Sequence, residues 1–147
     1  MECIKSSIFL IFLLSWPCFV HAENRDQQRK LFWQARQLLM TQHYRQFAAL
    51  QVHLKDYPLY PYLIFIKLKQ QLPTEDRAEI NDFLQTYSDT PLAPKLRADW
   101  LAYLAKKQDW LHFIHYYQPI YGTTLQCHYL HSLLATQQKA LAFRKIS

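Results

Sequence analysis

Gly122 is the only glycine in this chain, and that scarcity limits how the backbone can turn. Tight β-hairpins of the Asn-Gly or Asp-Gly kind need glycine, and so do the loops that cradle phosphates or dinucleotides. Such hairpins and loops are excluded here, and most nucleotide-dependent chemistry is excluded with them. Hydrophobic residues make up 50% of the 147 positions, which is enough to bury a core. We therefore expect one ordinary folded domain and not a disordered chain.

The first 22 residues have the features of a cleaved secretory signal peptide. Lys5 supplies the positive charge, residues 8–16 form a short apolar run, and Pro17 is expected to break the helix. Val-His-Ala at positions 20–22 fits a cleavage site, which places Glu23 at the mature N-terminus. Because the apolar run is too short to span a bilayer comfortably, we predict a periplasmic protein without a stable membrane anchor. A leader that stays attached as an anchor is the alternative.

The predicted mature chain keeps a net charge of +6, because Lys5 and Glu2 leave together with the leader. A basic exported protein can meet anionic lipid headgroups, cell-wall polymers or an acidic partner. Nucleic acid is not expected as a partner outside the cytoplasm. The basic residues are dispersed instead of forming one block, so a plain solvated surface explains the charge equally well.

Cys127 is the one cysteine that the predicted mature chain keeps, since Cys3 and Cys18 leave with the leader. An unpaired thiol in an oxidising compartment needs an explanation. It can be a buried small hydrophobic residue, a reactive nucleophile, or half of a disulfide whose other cysteine lies outside this sequence. The residues alone leave these three interpretations open.

Apolar residues at helical spacing, punctuated by prolines, predict seven or eight helices. The first is predicted at 24–41 with Asn24 as its cap, the second at about 44–55 with Pro58 as its stop, and the third from Pro61 to Pro73. The next four are predicted from their starts: one capped by Thr74, one opened by Thr90 and Pro91, one begun by Asp109 and one begun by Thr123. The last is predicted at 138–146. Short connections favour antiparallel helical hairpins, and no strict repeat of about 34 residues appears. The expected fold is all-α, an irregular right-handed superhelix of stacked hairpins like an α-solenoid, with a compact bundle as the alternative.

Four acidic residues lie close together in the sequence: Glu75, Asp76, Glu79 and Asp82. Glycoside cleavage needs a carboxylic acid held in a cleft at a raised pKa, often with a second carboxylate nearby. These four, however, stand at the opening of a predicted helix, where the helix dipole and solvent both favour negative charge. A capping and solubility role is therefore the preferred interpretation.

Two pairs of histidines, His112 with His115 and His128 with His131, are spaced three residues apart and could share a helical face. Neither a His-Glu-x-x-His pattern nor a pair of cysteines supports metal ligation, so surface or interfacial histidines are expected and no metal site or cofactor is predicted. Cys127 and His128 are unsuited to act together as a nucleophile pair, because adjacent helical residues point about 100° apart.

Aromatic residues make up 16% of the chain, including ten tyrosines and four tryptophans. Aromatic rings serve sugar binding and helix packing equally well, since they bury readily and tyrosine and tryptophan keep a polar group. Trp33, Trp100 and Trp110 all lie in predicted helices, so a packing role is expected for each. No residue is singled out as a binding residue.

Four segments agree in order and spacing with one known family. They are residues 54–63 (LKDYPLYPYL), 90–97 (TPLAPKLR), 100–110 (WLAYLAKKQDW) and 122–129 (GTTLQCHY). In the first segment, two prolines three positions apart fix a turn and open the next helix, while tyrosines and leucines pack the corner. This succession after a signal peptide resembles the N-terminal region of the soluble lytic murein transglycosylases.

The resemblance implies a long α-superhelix in the periplasm, U-shaped or ring-forming, that supports a separate lysozyme-like catalytic domain. That domain cleaves peptidoglycan between N-acetylmuramic acid and N-acetylglucosamine and leaves a 1,6-anhydro product. By this resemblance, residues 1–22 are the signal peptide and residues 23–147 are part of the superhelical domain. Peptidoglycan and a separate catalytic domain are the implied partners, and a second cysteine downstream is the implied partner of Cys127.

The chain departs from the family pattern in its chemistry. The family's catalytic glutamate is followed by serine, with a later Gly-Leu-Met-Gln segment, and neither pattern occurs here. The glutamates are followed by other residues: Glu2 by Cys, Glu23 by Asn, Glu75 by Asp and Glu79 by Ile. No catalytic residue is therefore predicted. A scaffold is the first interpretation, and a stand-alone module that binds peptidoglycan or protein, or an inactive gene remnant, are the alternatives.

Overall fold

The computed structural model describes residues 17–74, 76–119 and 122–146, so most of the predicted leader lies outside the described residues. Within these ranges the chain forms helices and no strand, which confirms the all-α prediction. The helices are α1 (Pro17–Met40), α2 (Tyr44–Gln51), α3 (Tyr60–Gln71), α4 (Arg77–Thr86), α5 (Leu92–Lys107), α6 (Trp110–Tyr116), α7 (Thr123–Ala135) and α8 (Lys139–Ile146). None of the helices in the described part is both long enough and apolar enough to cross a bilayer.

The chain divides into two compact units, one that extends to Leu63 and one that begins at Ile64, so the division falls within α3. In the N-terminal unit, α1 packs against α2. The unit's buried apolar side chains are Phe32, Ala35, Leu39, Phe47, Leu54 and Leu63. The three from α1 follow the three- and four-residue spacing that places side chains on one helical face.

The start of α1 differs from the prediction. The helix begins at Pro17, where a proline is tolerated because the first N–H groups of a helix have no intrahelical partner. Neither glycine nor proline interrupts the residues that follow, so the helix runs on to Met40. Asn24 therefore lies inside α1 of the unprocessed chain, and its role as the cap of the processed chain stays a prediction. The predicted cleavage bond between Ala22 and Glu23 also lies within this helix.

The corner between α2 and α3 also differs from the prediction, because α2 ends at Gln51. Successive tight turns follow, in which the N–H of Leu54 donates to the carbonyl of Gln51 (3.1 Å) and the N–H of Tyr57 donates to the carbonyl of Leu54 (2.9 Å). This path leaves Leu54 fully buried. Pro58 comes seven residues after the helix has ended, so it does not stop α2.

The C-terminal unit is built around α5. This helix contacts α4, α6 and α7, and α8 packs on α7. The buried residues of α5 are Leu92, Ala93, Leu96, Trp100, Leu101, Leu104 and Ala105. They lie on more than one face, as expected for a helix covered by several neighbours. Phe83 of α4 and Phe113 of α6 complete the same hydrophobic core.

The helix starts in the C-terminal unit show which capping predictions were correct. Asp109 caps α6, since its carboxylate accepts from the N–H of His112 (3.4 Å), and the hydroxyl of Thr90 accepts from the N–H of Leu92 (3.4 Å). Thr74 does not cap α4, because its hydroxyl donates to a carbonyl at the end of α3. The cap is Asp76, whose carboxylate accepts from the N–H of Ala78 (3.1 Å).

Three of the hairpin turns share one backbone conformation that the sequence analysis did not predict. A glutamine follows the end of α1, α5 and α7 in the left-handed region, with φ of 59° at Gln42, 58° at Gln108 and 61° at Gln137. The N–H of the next residue then donates to the carbonyl five residues earlier: His43 to Leu38 (2.8 Å), Asp109 to Leu104 (3.0 Å) and Gln138 to Leu133 (2.8 Å). This hydrogen-bonding pattern is the Schellman motif, and it closes each helix at the point where the next one begins.

Candidate functional site

The predicted acidic cluster is spread over the start and the solvent side of α4. Asp76 caps the helix, and Glu79 accepts a hydrogen bond from the Nζ of Lys67 at 2.7 Å. Asp82 is exposed, and Glu75 lies outside the described residues. The described members of the cluster therefore face solvent, a cap or a lysine, which agrees with the capping and solubility role expected for them.

A three-residue cluster joins α4 to α6. His112 Nδ1 lies 2.7 Å from Asp109 Oδ1, and His112 Nε2 lies 2.9 Å from Arg77 Nη1. Arg77 Nη2 also donates to Asp109 Oδ2 at 3.3 Å. A guanidinium only donates hydrogen bonds, so Nε2 of His112 must accept and the ring proton must be on Nδ1, where it is donated to Asp109.

The environment of Asp109 favours its ionised form. Partial burial alone would raise the pKa of the carboxyl, but the hydrogen bonds from the side chain and the N–H of His112 act in the opposite direction. The positive charge of Arg77 acts with those hydrogen bonds, and the net result is a lowered pKa for Asp109. A carboxyl in this state is an ion-pair partner and is poorly suited to act as a general acid.

The Asp109–His112 pair has the geometry that orients a catalytic histidine in hydrolases, but its surroundings differ. In a catalytic triad, the second ring nitrogen takes a proton from a nucleophile. Here that nitrogen accepts from Arg77, so the place of the nucleophile is taken by a cation. The arrangement therefore clamps the first residue of α4 to the first turn of α6.

The predicted histidine pairs have separate packing partners. His115 contacts the ring of Tyr116 edge-on at 5.0 Å, whereas His112 belongs to the clamp. His128 and His131 both pack on Trp110, with ring centroids at 6.4 Å and 4.7 Å. In the described ranges, no three or more histidine, cysteine, aspartate or glutamate side chains come together in a group that could hold a metal ion.

The single cysteine of the predicted mature chain lies on the surface. The thiol of Cys127 on α7 is exposed and unpaired among the described residues. Its exposure rules out the interpretation as a buried hydrophobic residue. A reactive thiol and a disulfide with a cysteine outside this sequence stay as predictions.

The three tryptophans differ in their exposure. Trp100 is 3% exposed and stacks on Tyr103 at 5.4 Å, and Trp110 is partly buried under the two histidines of α7, so both pack as predicted. Trp33 is 57% exposed, and the guanidinium of Arg36 lies 5.5 Å from its ring centroid. The packing prediction for Trp33 is therefore wrong, because this side chain points away from the buried face of α1.

A polar cavity between α4, α5 and the end of α6 is the candidate binding site. Its volume is about 200 Å³, and its lining residues are Asn81, Leu84, Gln85, Arg97, His115, Tyr116, Tyr117 and Gln118. Carboxamides and aromatic rings dominate this lining, and none of the lining side chains is acidic. Tyr116 is buried, which raises the pKa of its hydroxyl group, and a hydrogen bond with the side chain of Asn81 acts in the opposite direction.

Sequence patterns did not reveal this cavity, although one of its lining residues, His115, belongs to a histidine pair visible in the sequence. Its polar residues come from α4, α5, α6 and the residues just after α6, and Asn81 is separated in sequence from Gln118 by the whole of α5 and α6. Neither a spacing rule nor a known motif connects such residues. A second cavity, of about 190 Å³, lies beside the clamp and is lined in part by Arg77, Tyr103 and Lys107.

The chain is similar in sequence to known proteins over most of its length. No family model matches it. The chain is 27% identical over 135 residues, 91% of its length, to proteins named soluble lytic murein transglycosylase from Salmonella typhimurium strain LT2 and from Escherichia coli strain K12. It spans 21% of the length of these relatives.

The fold gives the same result. Crystal structures of the 70-kDa soluble lytic transglycosylase from Escherichia coli and of a 70-kDa soluble lytic transglycosylase in complex with bulgecin A both superpose with a TM-score of 0.73 at 26% identity. Each superposition covers 81% of this chain and 19% of the other. The soluble lytic murein transglycosylases are therefore homologues of this chain in sequence and in fold, over about one fifth of their own length.

Proposed function

We propose that this chain is a periplasmic scaffold of the lytic transglycosylase type that contacts peptidoglycan and supplies no bond-breaking carboxylate of its own. The observation that carries the proposal is the agreement of sequence and fold with these enzymes over most of the chain. Because the match spans only a fifth of the relatives, their cleavage activity is assigned here to a separate catalytic domain.

The surroundings of three carboxylates in the described residues support a non-catalytic role. Asp109 has a lowered pKa, Glu79 is paired with Lys67, and Asp99 is paired with Lys69 at 2.9 Å. Cleavage of a glycosidic bond needs an acid whose pKa is raised so that it still carries a proton near neutral pH. A neighbouring cation favours the charged form of a carboxylate, so a carboxylate in an ion pair is poorly suited to donate a proton.

The helical hairpins support the superhelical part of the proposal. α5 with α6 and α7 with α8 are hairpins of consecutive helices in contact, each closed by a left-handed glutamine. Stacking such hairpins side by side buries their apolar faces and forms an α-solenoid. In this proposal the hairpins form a right-handed superhelix, and residues 1–22 are the leader that directs it to the periplasm.

Incubation with murein sacculi tests the catalytic part of the proposal. The chain would be produced from its own first methionine and purified as the cell processes it. We expect no release of 1,6-anhydro-muropeptides by chromatography and mass spectrometry, with an intact soluble lytic murein transglycosylase as the positive control. Appearance of anhydro products with the chain alone would overturn the proposal.

Co-sedimentation with the same sacculi tests the binding part. At about 0.5 M salt the charges on the surface are screened beyond a few ångströms, so attraction by net charge alone is largely removed. We expect part of the chain to stay with the sacculi under these conditions. If the chain sediments at low salt only, the +6 charge accounts for the interaction and specific contact is rejected.

A further inference from the structure

We propose that the polar cavity between α4, α5 and α6 binds a carboxylate of a peptidoglycan fragment, with Arg97 as the residue that recognises it. The proposal depends on the proposed function only for the source of the ligand. The chemistry of recognition follows from the cavity itself.

Arg97 is the residue of the cavity that favours binding of an anion. Its side chain is partly buried, and it forms no ion pair with any residue in the described ranges. Arg77 by contrast is held by Asp109, and Lys69 is held by Asp99. A guanidinium is always charged in proteins, and withdrawing it from water without a counter-ion is unfavourable. A ligand carboxylate would supply the missing counter-ion.

The other polar residues of the cavity further limit which ligands can fit it. Asn81, Gln85 and Gln118 carry carboxamides, which donate and accept hydrogen bonds alike. Because none of the lining side chains is acidic, a ligand carboxylate would meet no negative side chain there. A ligand that carries amide groups next to its carboxylate matches this lining better than an isolated inorganic anion does.

The size of the cavity sets how much of a ligand it can take. A volume of about 200 Å³ is well above the roughly 10–15 Å³ that one water molecule needs, so the cavity has room for a small polar group. This is enough for one terminal amino acid or one acidic substituent. The cavity therefore fits the end of a stem peptide or the lactyl group of a muramic acid that carries no peptide, and both present a free carboxylate with an amide nearby.

Titration calorimetry with three probes tests the proposal. The probes are a murein tetrapeptide with free carboxylates, free N-acetylmuramic acid, and an uncharged N-acetylglucosamine tetrasaccharide. Tight binding of the first identifies the stem peptide as the source of the carboxylate, and tight binding of the second identifies the sugar acid. Binding of neither acidic probe, or equal binding of the uncharged tetrasaccharide, overturns the proposal.

Two substitutions on α5 separate recognition by Arg97 from the effect of net charge. Arg97→Gln should weaken binding of the carboxylate probe at least tenfold, whereas Arg97→Lys should give an intermediate loss because lysine keeps the charge without the planar fork. Lys95→Gln removes the same charge from an exposed position of the same helix and should change affinity less than twofold. Equal losses in Arg97→Gln and Lys95→Gln, or no loss in Arg97→Gln, would reject the assignment.

Failure of this inference can be told apart from failure of the proposed function. A chain that stays on sacculi at high salt with or without Arg97 keeps the proposed function and loses the site. A chain that does not bind sacculi but binds a carboxylate probe through Arg97 keeps the site and loses the proposed function. Thermal melting of each variant would show that the fold is intact in both comparisons.

Discussion

The two carboxylate oxygens of Asp109 hold groups from two helices. They accept from the N–H and the Nδ1–H of His112 within α6, and from the guanidinium of Arg77 at the start of α4. One residue thus acts as a helix cap and as a link between elements. Since its lowered pKa reflects these contacts, the contribution of Asp109 to stability must depend on pH.

Loss of stability in acid should be smaller when Asp109 is replaced by asparagine. The folded-state pKa lies below the ordinary value of 3.8, so the stabilisation is complete above that value and is lost as the pH falls through the lowered pKa. Asparagine keeps the capping oxygen and has no charge to lose. Melting temperatures of the two proteins should therefore converge as the pH falls below 3.8 and through the lowered pKa of Asp109.

Asp89→Asn is the matched control, because Asp89 is exposed and has no ion-pair partner among the described residues. This variant should keep a nearly constant difference from the wild type over the same pH range. If the difference between the wild type and Asp109→Asn also stays constant, the link between Asp109, His112 and Arg77 contributes nothing measurable to stability.

The residue scale also shows what sequence patterns can and cannot reveal. Asp109 was recognisable because a cap acts on residues two or three positions away. Arg77 was not, since it reaches Asp109 across 32 positions, and only packing of both α4 and α6 on α5 brings the two together. The exposure of Trp33 was not predicted for a related reason. Helical spacing shows which residues share an apolar stripe, but it does not show where that stripe ends.

At the scale of the element, the left-handed glutamines are an unusual solution to a common problem. Glycine is the preferred residue where a helix closes in the left-handed region, because a side chain there meets steric resistance. This chain has one glycine, Gly122, and it stands at φ −65° before α7. Gln42, Gln108 and Gln137 therefore adopt the left-handed conformation at some cost in free energy.

Glycine at position 108 should stabilise the protein. Gln108→Gly removes the steric cost of a φ near 58° and leaves the backbone hydrogen bonds of the turn in place. We expect the free energy of unfolding to rise by about 0.5–1 kcal/mol, as measured by chemical denaturation. Gln46→Gly is the control of opposite sign, since this exposed residue lies inside α2 and should lose about 1 kcal/mol. Destabilisation by both changes would show that Gln108 bears no conformational strain.

Helix boundaries were predictable where local chemistry sets them. A first-turn proline marks the start of α3, a capping aspartate that of α6 and a Gly-Thr pair that of α7, and each of these signals lies within a few residues of the boundary. The end of α2 depends instead on burial of Leu54, which turns the chain before Pro58 is reached. Tertiary packing overrides the local signal at that corner.

At the scale of the whole molecule, the fold of this chain is closer to that of the transglycosylase structures than its sequence is to theirs. An identity of 26% accompanies a TM-score of 0.73 to the transglycosylase structures. Helical hairpins tolerate extensive change as long as the apolar positions keep their spacing. The candidate cavity was not predictable by this route, because Asn81, Arg97 and Gln118 meet only after three helices have packed.

Removal of the predicted leader would change the first helix of the chain, α1. In the structure the bond between Ala22 and Glu23 lies inside α1, so the predicted leader and the first helix of the domain are continuous. Cleavage there would shorten α1 but leave Phe32 and Leu39 to hold it in the core. Asn24 would then stand at the new start of the helix, where its side chain is well suited to cap it.

We therefore expect the chain purified from the periplasm to begin at Glu23, as judged by intact mass and N-terminal sequencing. Ala22→Arg should block processing, because a signal peptidase accepts only small residues at that position. Ala48→Arg, on the exposed side of α2, should be processed like the wild type. A full-length wild-type chain recovered from the membrane would show instead that the leader is retained as an anchor. In that case the hairpins would stand at the membrane surface, and any contact with peptidoglycan would be limited to the strands nearest the bilayer.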